Sequence, residues 1–266
     1  MKPSVFYHHL LSISRETGRP IADVLTETRA LGFEGIECDY SDFSADPAGF
    51  ARLLADVRLE AASVYVFLDF PKGERTAHLQ QILNDVHSIG CRKLLAVPAK
   101  IEHQTPADTD AICRGLNDLC TMARDLDITV AVEDFDSDRS PCGSPEKLEA
   151  LFERVPLLGF TLDTGNFLYL DRDVLQCIPK LLPRLAHMHL KDRSFTPFVP
   201  GAPGMSTVGG PMIYDVPVGT GDIPMARLLH IAKEQGYDGW CSAEHFDAAD
   251  QSRYLRLDAA WLKEHL

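Results

Sequence analysis

The sequence predicts a single-domain α/β protein of the (β/α)₈, or TIM, barrel class that spans residues 1–266. Three observations lead to this prediction. Short β-branched segments alternate with amphipathic segments along the chain, eight such units can be distinguished, and no break in composition divides them. Eight is the number of units that closes a parallel barrel. An open doubly wound sheet is the alternative, but no glycine-rich phosphate loop follows the first strand.

The eight units can be placed in order along the chain. Strands are predicted at 4–9, 33–40, 60–70, 92–100, 127–135, 157–167, 185–192 and 237–246. Helices are predicted at 21–32, 47–57, 76–89, 105–126, 144–155, 172–184 and 222–236, with a last helix running to the C-terminus. Gly32 and Gly90 are typical of helix ends. Thr105-Pro106 and Ser144-Pro145 are typical of helix starts, because the hydroxyl caps free N–H groups and proline fits the first turn.

One connection is abnormally long. The segment between Arg193 and Gly221 is rich in glycine and proline, as in PFVPGAPGMSTVGG. A compact domain rarely keeps such a loop without a purpose. Because it follows the seventh strand, it lies at the carboxyl-end face of the barrel, where such folds keep their chemistry. We therefore expect a lid-like loop at 193–221 rather than a disordered insert.

Composition and charge exclude some classes of function. The net charge of -13 disfavours binding to nucleic acid, although a local basic groove stays open. No segment has the apolar length of a membrane span, and the first residues lack a signal-peptide core. The seven cysteines form no CxxC pair and lie mostly in apolar segments, which predicts reduced, buried thiols. We expect a cytoplasmic protein.

Polar side chains interrupt four consecutive predicted strands close to their carboxyl ends. They are Glu133 in VAVEDF, Asp163 in FTLDTGN, His187 and His189 in LAHMHLKD, and Glu244 in WCSAEHF. In a barrel, inward-facing residues at this end of the strands are the catalytic candidates. An ionised carboxylate among apolar side chains is costly to bury unless it is paired or bound to a cation.

A divalent cation would remove the repulsion among these groups. The predicted ligands form a mixed oxygen and nitrogen set suited to one Mn²⁺, Zn²⁺, Co²⁺ or Mg²⁺ ion: Glu133, Asp163, His189 and Glu244. His189 lies closer to the strand end than His187, which is either a supporting donor or a packed core histidine. Lys191 is either a substrate contact or half of a surface ion pair with Asp192.

The segments VEDF, LDTGN, HMHLKD, VGTGDIP and SAEHF, in this order, resemble the xylose-isomerase-like TIM-barrel superfamily. This superfamily includes sugar phosphate isomerases and epimerases, tagatose-epimerase-like enzymes, inosose dehydratases and endonuclease IV. The resemblance extends over nearly the whole chain, with its specific motifs in the second half. It implies the same four metal ligands, since the matching positions are again Glu133, Asp163, His189 and Glu244.

The resemblance implies a metal-dependent isomerase or epimerase that acts on a sugar or sugar phosphate. In this family the metal holds an α-hydroxy ketone, and Glu133 and Glu244 match the pair that moves a proton through an enediolate. The remaining predicted substrate contacts are Asn166, His187, Lys191 and Arg139.

Three departures from the tagatose-epimerase branch bear on the substrate. Asn166 stands where that branch has a histidine, Arg139 where it has an acidic residue, and Phe195 where it has an arginine. An anionic group on the substrate is therefore an open alternative. Its candidate receptors are Arg139, Arg193, Lys100 and Lys191.

Two other functions stay open, and one is rejected. An inosose dehydratase-like lyase would use the same metal site, and a non-catalytic sugar-binding barrel would have no need for the metal. Endonuclease IV is rejected, because its multi-zinc cluster needs extra histidines. Cys38-Asp39 and Asn166 stand at such positions here. We expect a small sugar-derived ligand, no nucleic acid and no membrane partner. The sequence leaves open whether the chain forms a homo-oligomer.

Overall fold

In the computed structural model, which describes residues 1–266, eight parallel strands close into a barrel. The barrel strands are β1 (Lys2–Phe6), β2 (Gly35–Asp39), β3 (Glu60–Leu68), β4 (Lys93–Pro98), β5 (Thr129–Glu133), β6 (Gly159–Asp163), β7 (Leu185–Leu190) and, eighth in the barrel, β11 (Trp240–Ala243). The first and last of these strands pair in parallel, with Ser4 opposite Ser242. The predicted single-domain barrel is confirmed.

Helices cover the outside of the barrel. They are α1 (Tyr7–Thr17), α2 (Ile21–Leu31), α3 (Pro47–Val57), α4 (Thr76–Ser88), α5 (Pro106–Arg124), α6 (Pro145–Arg154), α7 (Asn166–Tyr169), α8 (Val174–Cys177), α9 (Met225–Glu234) and α10 (Gln251–His265). Their inner faces are apolar: Ile82 of α4, Leu116 of α5 and Leu148 of α6 have no exposed surface. Each such side chain contributes about 1.5–3 kcal/mol by burial, so the core between the helices and the barrel holds the strand ends in place.

The predicted starts of two helices are confirmed by their caps. The Thr105 hydroxyl accepts a hydrogen bond from the Asp108 N–H at 3.2 Å, and the Asp108 carboxylate accepts one from the Thr105 N–H at 2.8 Å. The Ser144 hydroxyl accepts from the Lys147 N–H at 3.3 Å. Such caps stabilise a helix by about 1 kcal/mol. They fix where α5 and α6 leave the barrel.

Two predicted elements differ from the observed ones. The first strand ends at Phe6, and α1 begins at once at Tyr7, so the predicted strand at 4–9 is too long. The predicted helix at 172–184 is instead the short helix α8 and a 3₁₀ turn at Leu182–Arg184. Pro179 and Pro183 explain this break, because proline lacks the N–H that a continuous helix needs.

The segment after the seventh barrel strand is ordered. It forms a three-stranded antiparallel sheet from β8 (Asp192–Ser194), β9 (Met205–Ser206) and β10 (Met212–Val216), with β10 in the middle. The Asp192 carboxylate accepts hydrogen bonds from the N–H groups of Gly219 at 2.8 Å and Gly221 at 2.9 Å, which ties the ends of the segment together. The expected lid at 193–221 is therefore not structureless, and its role as a lid stays a prediction.

The burial of the cysteines and the character of the helices agree with what the composition predicts. All seven cysteines are buried and free, as predicted for small apolar side chains. None of the helices has both the length and the apolar character that crossing a bilayer requires.

Candidate metal centre at the barrel mouth

His189 lies at the centre of a cluster of buried carboxylates. Its Nδ1 is 3.1 Å from Glu133 Oε2 and 3.2 Å from Glu244 Oε2, and its Nε2 is 3.0 Å from Glu37 Oε1. Burial by itself would lower the pKa of His189, but Glu37 and the two other carboxylates raise it well above its usual value. Carboxylates from β2, from β5 and from the residue that follows β11 thus converge on the imidazole.

Asp163 and Lys191 form the second half of this cluster. The Lys191 ammonium is 2.8 Å from Asp163 Oδ2 and 2.6 Å from Glu244 Oε1, and it donates to Asn166 Oδ1 at 2.9 Å. The other oxygen of Asp163 accepts hydrogen bonds from the N–H groups of Gly165 at 2.8 Å and Asn166 at 3.1 Å. Burial raises the pKa of Asp163 to about 7 although Lys191 acts to lower it. The two hydrogen bonds from the turn after β6 hold Asp163 in one orientation.

Glu133 and Glu244 differ in the pKa of their carboxyl groups. Burial raises the pKa of Glu133, and the contact with His189 offsets this only in part. Burial would also raise the pKa of Glu244, but Lys191 and His189 lower it to about 2. The side chain nearest to the ammonium is thus the stronger acid of the pair.

The cluster suits a divalent metal ion. One donor atom each from Glu133, Asp163 and His189 lie within 4.8 Å of one another, and all three residues are buried. Asp163 Oδ2, His189 Nδ1 and Glu244 Oε2 have no hydrogen-bond partner of good geometry. Buried polar atoms without such partners are costly, and a mixed set of carboxylate oxygens and one imidazole nitrogen matches the ligands of Mg²⁺, Mn²⁺ or Zn²⁺. The residues present therefore fit the ion.

The structure brings all four predicted ligands together, but not equally. Glu244 lies at the edge of the group formed by Glu133, Asp163 and His189 and is not part of its tightest set. One of its oxygens approaches His189, whereas the other contacts Lys191. An ion at the centre would therefore compete with Lys191 for the Glu244 carboxylate.

Glu37 is a site residue that the sequence did not predict. It comes from β2, has no exposed surface, and bridges both histidines of the HxH motif: its Oε2 is 2.8 Å from His187 Nε2. His187 also lies 3.0 Å from the Ser242 hydroxyl. The available signal was an acidic residue between Ile36 and Cys38 in the strand GIECD. It lies in mid-strand rather than at a strand end, where the candidates were sought.

A cavity of about 210 Å³ opens over this cluster. The charged groups that line it all follow β4 in the chain, and they include Glu133, Lys191, Arg193 and Glu244. The strands β1, β3 and β4 contribute only aromatic and aliphatic side chains to the lining. These are Phe6, Tyr65, Phe67, Leu95 and Val97. The mouth thus has a charged side and an apolar side.

The predicted substrate contacts fall into two groups. Asn166 and Lys191 line the cavity. His187 does not, because it is buried one layer deeper between Glu37 and Ser242. Arg139 is exposed and lies in a separate outer groove with Arg154. Arg139 thus lies outside the cavity, because the path of the loop after β5 is a tertiary feature. His187 has the supporting position that the sequence left open for it, and the cavity lining does not support its alternative role as a substrate contact.

The three-stranded sheet adds residues to the mouth. Met205 of β9 and Asp215 of β10 line the cavity, as does Arg193 of β8. Arg193 is buried, with Nη1 2.5 Å from Asp215 Oδ1 and Nη2 3.5 Å from Asp136 Oδ2. The segment 193–221 is thus part of the cavity wall.

The sequence and the fold agree with known proteins. The profile of the family described as xylose isomerase-like TIM barrel matches residues 25–265. A curated inosose dehydratase of Clostridium tetani is 28% identical over 138 residues, which are 50% of this chain and 45% of that protein. The match thus spans less than half the length of that relative.

Solved structures of similar fold cover nearly the whole chain. The probable 3-DHS dehydratase AsbF of Bacillus anthracis has a TM-score of 0.77 at 16% identity and covers 99% of both chains. A D-allulose 3-epimerase of Methylomonas sp. in complex with D-allulose has a TM-score of 0.75 at 14% identity and covers 100% of this chain and 97% of its own. A xylose isomerase-like TIM barrel protein of Mycobacterium smegmatis in complex with magnesium has a TM-score of 0.69 at 19% identity. The match covers 91% of this chain and 87% of that protein. At these identities the likeness concerns the fold alone.

Proposed function

Since the chain belongs to the xylose isomerase-like TIM barrel family, we propose that its barrel mouth is the active site of a metal-dependent isomerase or epimerase that acts on a sugar. Structures of similar fold include sugar epimerases and dehydratases, so an enzyme is the general expectation. The finer assignment rests on the arrangement of this chain's own residues.

One observation carries the proposal. Glu133 and Glu244, from strands that are not neighbours in the barrel, both reach His189 Nδ1 on the floor of the cavity, at 3.1 and 3.2 Å. Two carboxylates that converge from different sides can remove a proton from one face of a carbon and return it to another face. This is the chemistry of an epimerase or isomerase at the carbon next to a carbonyl.

The remaining residues would hold the ion and the substrate. A divalent ion bound by Glu133, Asp163, His189 and Glu244 would supply Lewis-acid polarisation of the substrate carbonyl. Glu37 would orient the His189 ring through Nε2, which leaves Nδ1 for the cavity side. Asn166 and Lys191 line the cavity, so we assign them to contacts with substrate hydroxyls. The ordered wall at 193–221 would exclude water from the mouth.

Deuterium exchange tests the proposal. The protein would be loaded with Mg²⁺ or Mn²⁺ and incubated in D₂O with a panel of ketoses that includes D-fructose and D-allulose. We expect deuterium at the carbon next to the carbonyl, observed as loss of its ¹H NMR signal. Absence of exchange in every ketose of the panel would contradict the proposed function.

A dehydratase is the second candidate, and the position of Lys191 favours it. Its ammonium faces the cavity beside Glu244, so it could protonate a hydroxyl that leaves after the α-proton is removed. The likenesses to the inosose dehydratase and to the probable 3-DHS dehydratase agree with this option. A dehydratase would form an unsaturated product, visible by ultraviolet absorbance, whereas an epimerase would form none.

A further inference from the structure

Both cations that line the cavity are already paired with carboxylates of this chain. Lys191 contacts Asp163 at 2.8 Å and Glu244 at 2.6 Å. Its third contact is the side-chain oxygen of Asn166 at 2.9 Å. The two carboxylates hold the ammonium as ion pairs, although the Asp163 oxygen has no hydrogen-bond partner of good geometry. The charge of Lys191 is therefore balanced within the protein.

Arg193 is held in the same way. Asp215 lies 2.5 Å from its Nη1 and Asp136 lies 3.5 Å from its Nη2. Asp215 is itself fixed, because its carboxylate accepts a hydrogen bond from the Asp247 N–H at 3.0 Å and its carbonyl accepts one from the Tyr254 hydroxyl at 3.0 Å. The Arg193 Nε has no partner but is also shielded from solvent. The guanidinium is therefore committed to the protein.

Other groups that could receive an anion are also occupied or distant. The N–H groups of Gly165 and Asn166, at the start of α7, already donate to Asp163. Lys100 does not line the cavity, and its ammonium lies 4.9 Å over the ring of Phe135, which does. Arg139 lies in the outer groove. Neither the two lining cations nor the turn at the start of α7 therefore offers a free donor set of the kind that binds phosphate.

The charge balance of the lining is negative. Five carboxylates line the cavity against the two cations: Glu133, Asp136, Asp215, Glu244 and Asp247. Asp163 lies directly beside them, in contact with Lys191. A divalent ion would be held by Glu133, Asp163 and Glu244, and three further carboxylates, Asp136, Asp215 and Asp247, would remain beside the two cations. An anionic group would meet repulsion on the charged side and apolar surface on the other.

We propose that this cavity selects an uncharged ligand, and that Asp215 and Asp136 enforce the selection by holding Arg193 away from anions. This inference rests on the proposed function. It identifies the substrate class as free polyhydroxy ketones or aldoses rather than sugar phosphates or sugar acids. The apolar side fits the carbon face of such a molecule, while its hydroxyls and carbonyl meet the charged side. Asp215 and Asp136 are thus specificity-determining residues that contact Arg193.

Binding of inorganic phosphate to the Mg²⁺-loaded protein tests this selection independently of turnover. Phosphate would be titrated with protein and followed by ³¹P line broadening. For the natural sequence we expect no saturable binding at the cavity. Asp215→Asn keeps the shape of the side chain but frees Arg193, so we expect phosphate affinity to rise by about tenfold or more. Asp136→Asn is the milder second variant, and circular dichroism checks that each variant folds.

Control variants locate any phosphate that binds. Binding gained in D215N or D136N and lost again when Arg193→Gln is added supports the proposal. Binding to the natural sequence that Arg139→Gln removes, but Arg193→Gln does not, lies in the outer groove and leaves the selection intact. Binding to the natural sequence that Arg193→Gln removes overturns it. So does a folded D215N variant that gains no phosphate binding.

Exchange with matched substrates separates the two proposals. D-Fructose and D-fructose 6-phosphate differ in the phosphate group. Faster deuterium exchange into the phosphorylated ketose would overturn the selection while supporting the isomerase. Absence of exchange from both, together with the expected phosphate results, would contradict the isomerase and leave the uncharged ligand standing.

Discussion

The two sides of the barrel mouth differ in chemistry although they belong to one closed sheet. The side built from β5, β6, β7 and β11 carries the predicted metal ligands and Lys191, and β8, which follows β7, adds Arg193. By contrast, β1, β3 and β4 present only aromatic and aliphatic side chains. Catalysis needs charged groups that converge, and these are stable only where each finds a partner. The apolar side needs no partners, so it can shape the cavity. The charged side thus holds the groups that would carry out the reaction, and the apolar side forms the surface that would select the substrate.

The largest effect is expected on the charged side. Glu133→Gln and Glu244→Gln each remove a carboxylate that would carry the proton, so deuterium exchange should fall by about 10²–10⁴-fold while the fold is kept. Glu146→Gln is the matched control, since this carboxylate is exposed and pairs with Arg172 away from the mouth. Substantial exchange by either test variant would remove that glutamate from the proposed mechanism.

Glu37 is the exception that joins the two sides, because it extends from β2 to both histidines of β7. Glu37→Ala leaves two buried imidazoles without their carboxylate and should lower the free energy of unfolding by about 3–5 kcal/mol. Glu60→Gln is the control: its pair with Lys2 is exposed and should be worth less than about 1 kcal/mol. Equal denaturation midpoints for both variants would show that the Glu37 bridge does not stabilise the barrel.

Shortening the segment 193–221, which is part of the cavity wall, should affect substrate binding more than chemistry. Replacing residues 196–211 by a short glycine-serine linker removes β9, and with it Met205 from the cavity wall. We expect KM to rise by about tenfold, as for a lid that excludes water. Steady-state kinetics that do not change would make the segment a spacer or a contact between subunits.

The smallest effect is expected on the apolar side. Phe67 is 59% exposed but lines the cavity, and Phe195 is 51% exposed and does not. Truncating Phe67 to Ala should raise KM by about three- to tenfold through lost apolar contact, with kcat nearly constant. Phe195→Ala should change neither constant. A larger effect at Phe195 than at Phe67 would mean that the substrate lies elsewhere.

The sequence was most informative where polar residues break an apolar strand. Asp163 and Glu244 each interrupt a strand pattern near its end, and the barrel geometry alone then places them at one face. For that reason the barrel and the grouping of the four predicted ligands could both be expected from the pattern. Their roles as ligands stay a proposal.

Other features depend on tertiary structure that no local pattern records. Glu37 meets His187 across 150 positions of sequence, so only the closed barrel brings the two residues together. Arg139 leaves the mouth because the loop after β5 turns outward, with its carbonyl accepting from the Ile101 N–H. The small sheet forms from strands of two to five residues that pair over a glycine-rich segment. Such short strands carry too few residues to show a period.

Anomalous diffraction at the manganese edge, from crystals of the protein soaked in Mn²⁺, tests the central claim most directly. The account predicts one strong peak at the barrel mouth, within coordination distance of His189 Nδ1 and of carboxylate oxygens from Glu133, Asp163 and Glu244, and its loss in Asp163→Asn. A peak confined to a surface groove, or no peak at the mouth of a well-ordered crystal, would contradict it.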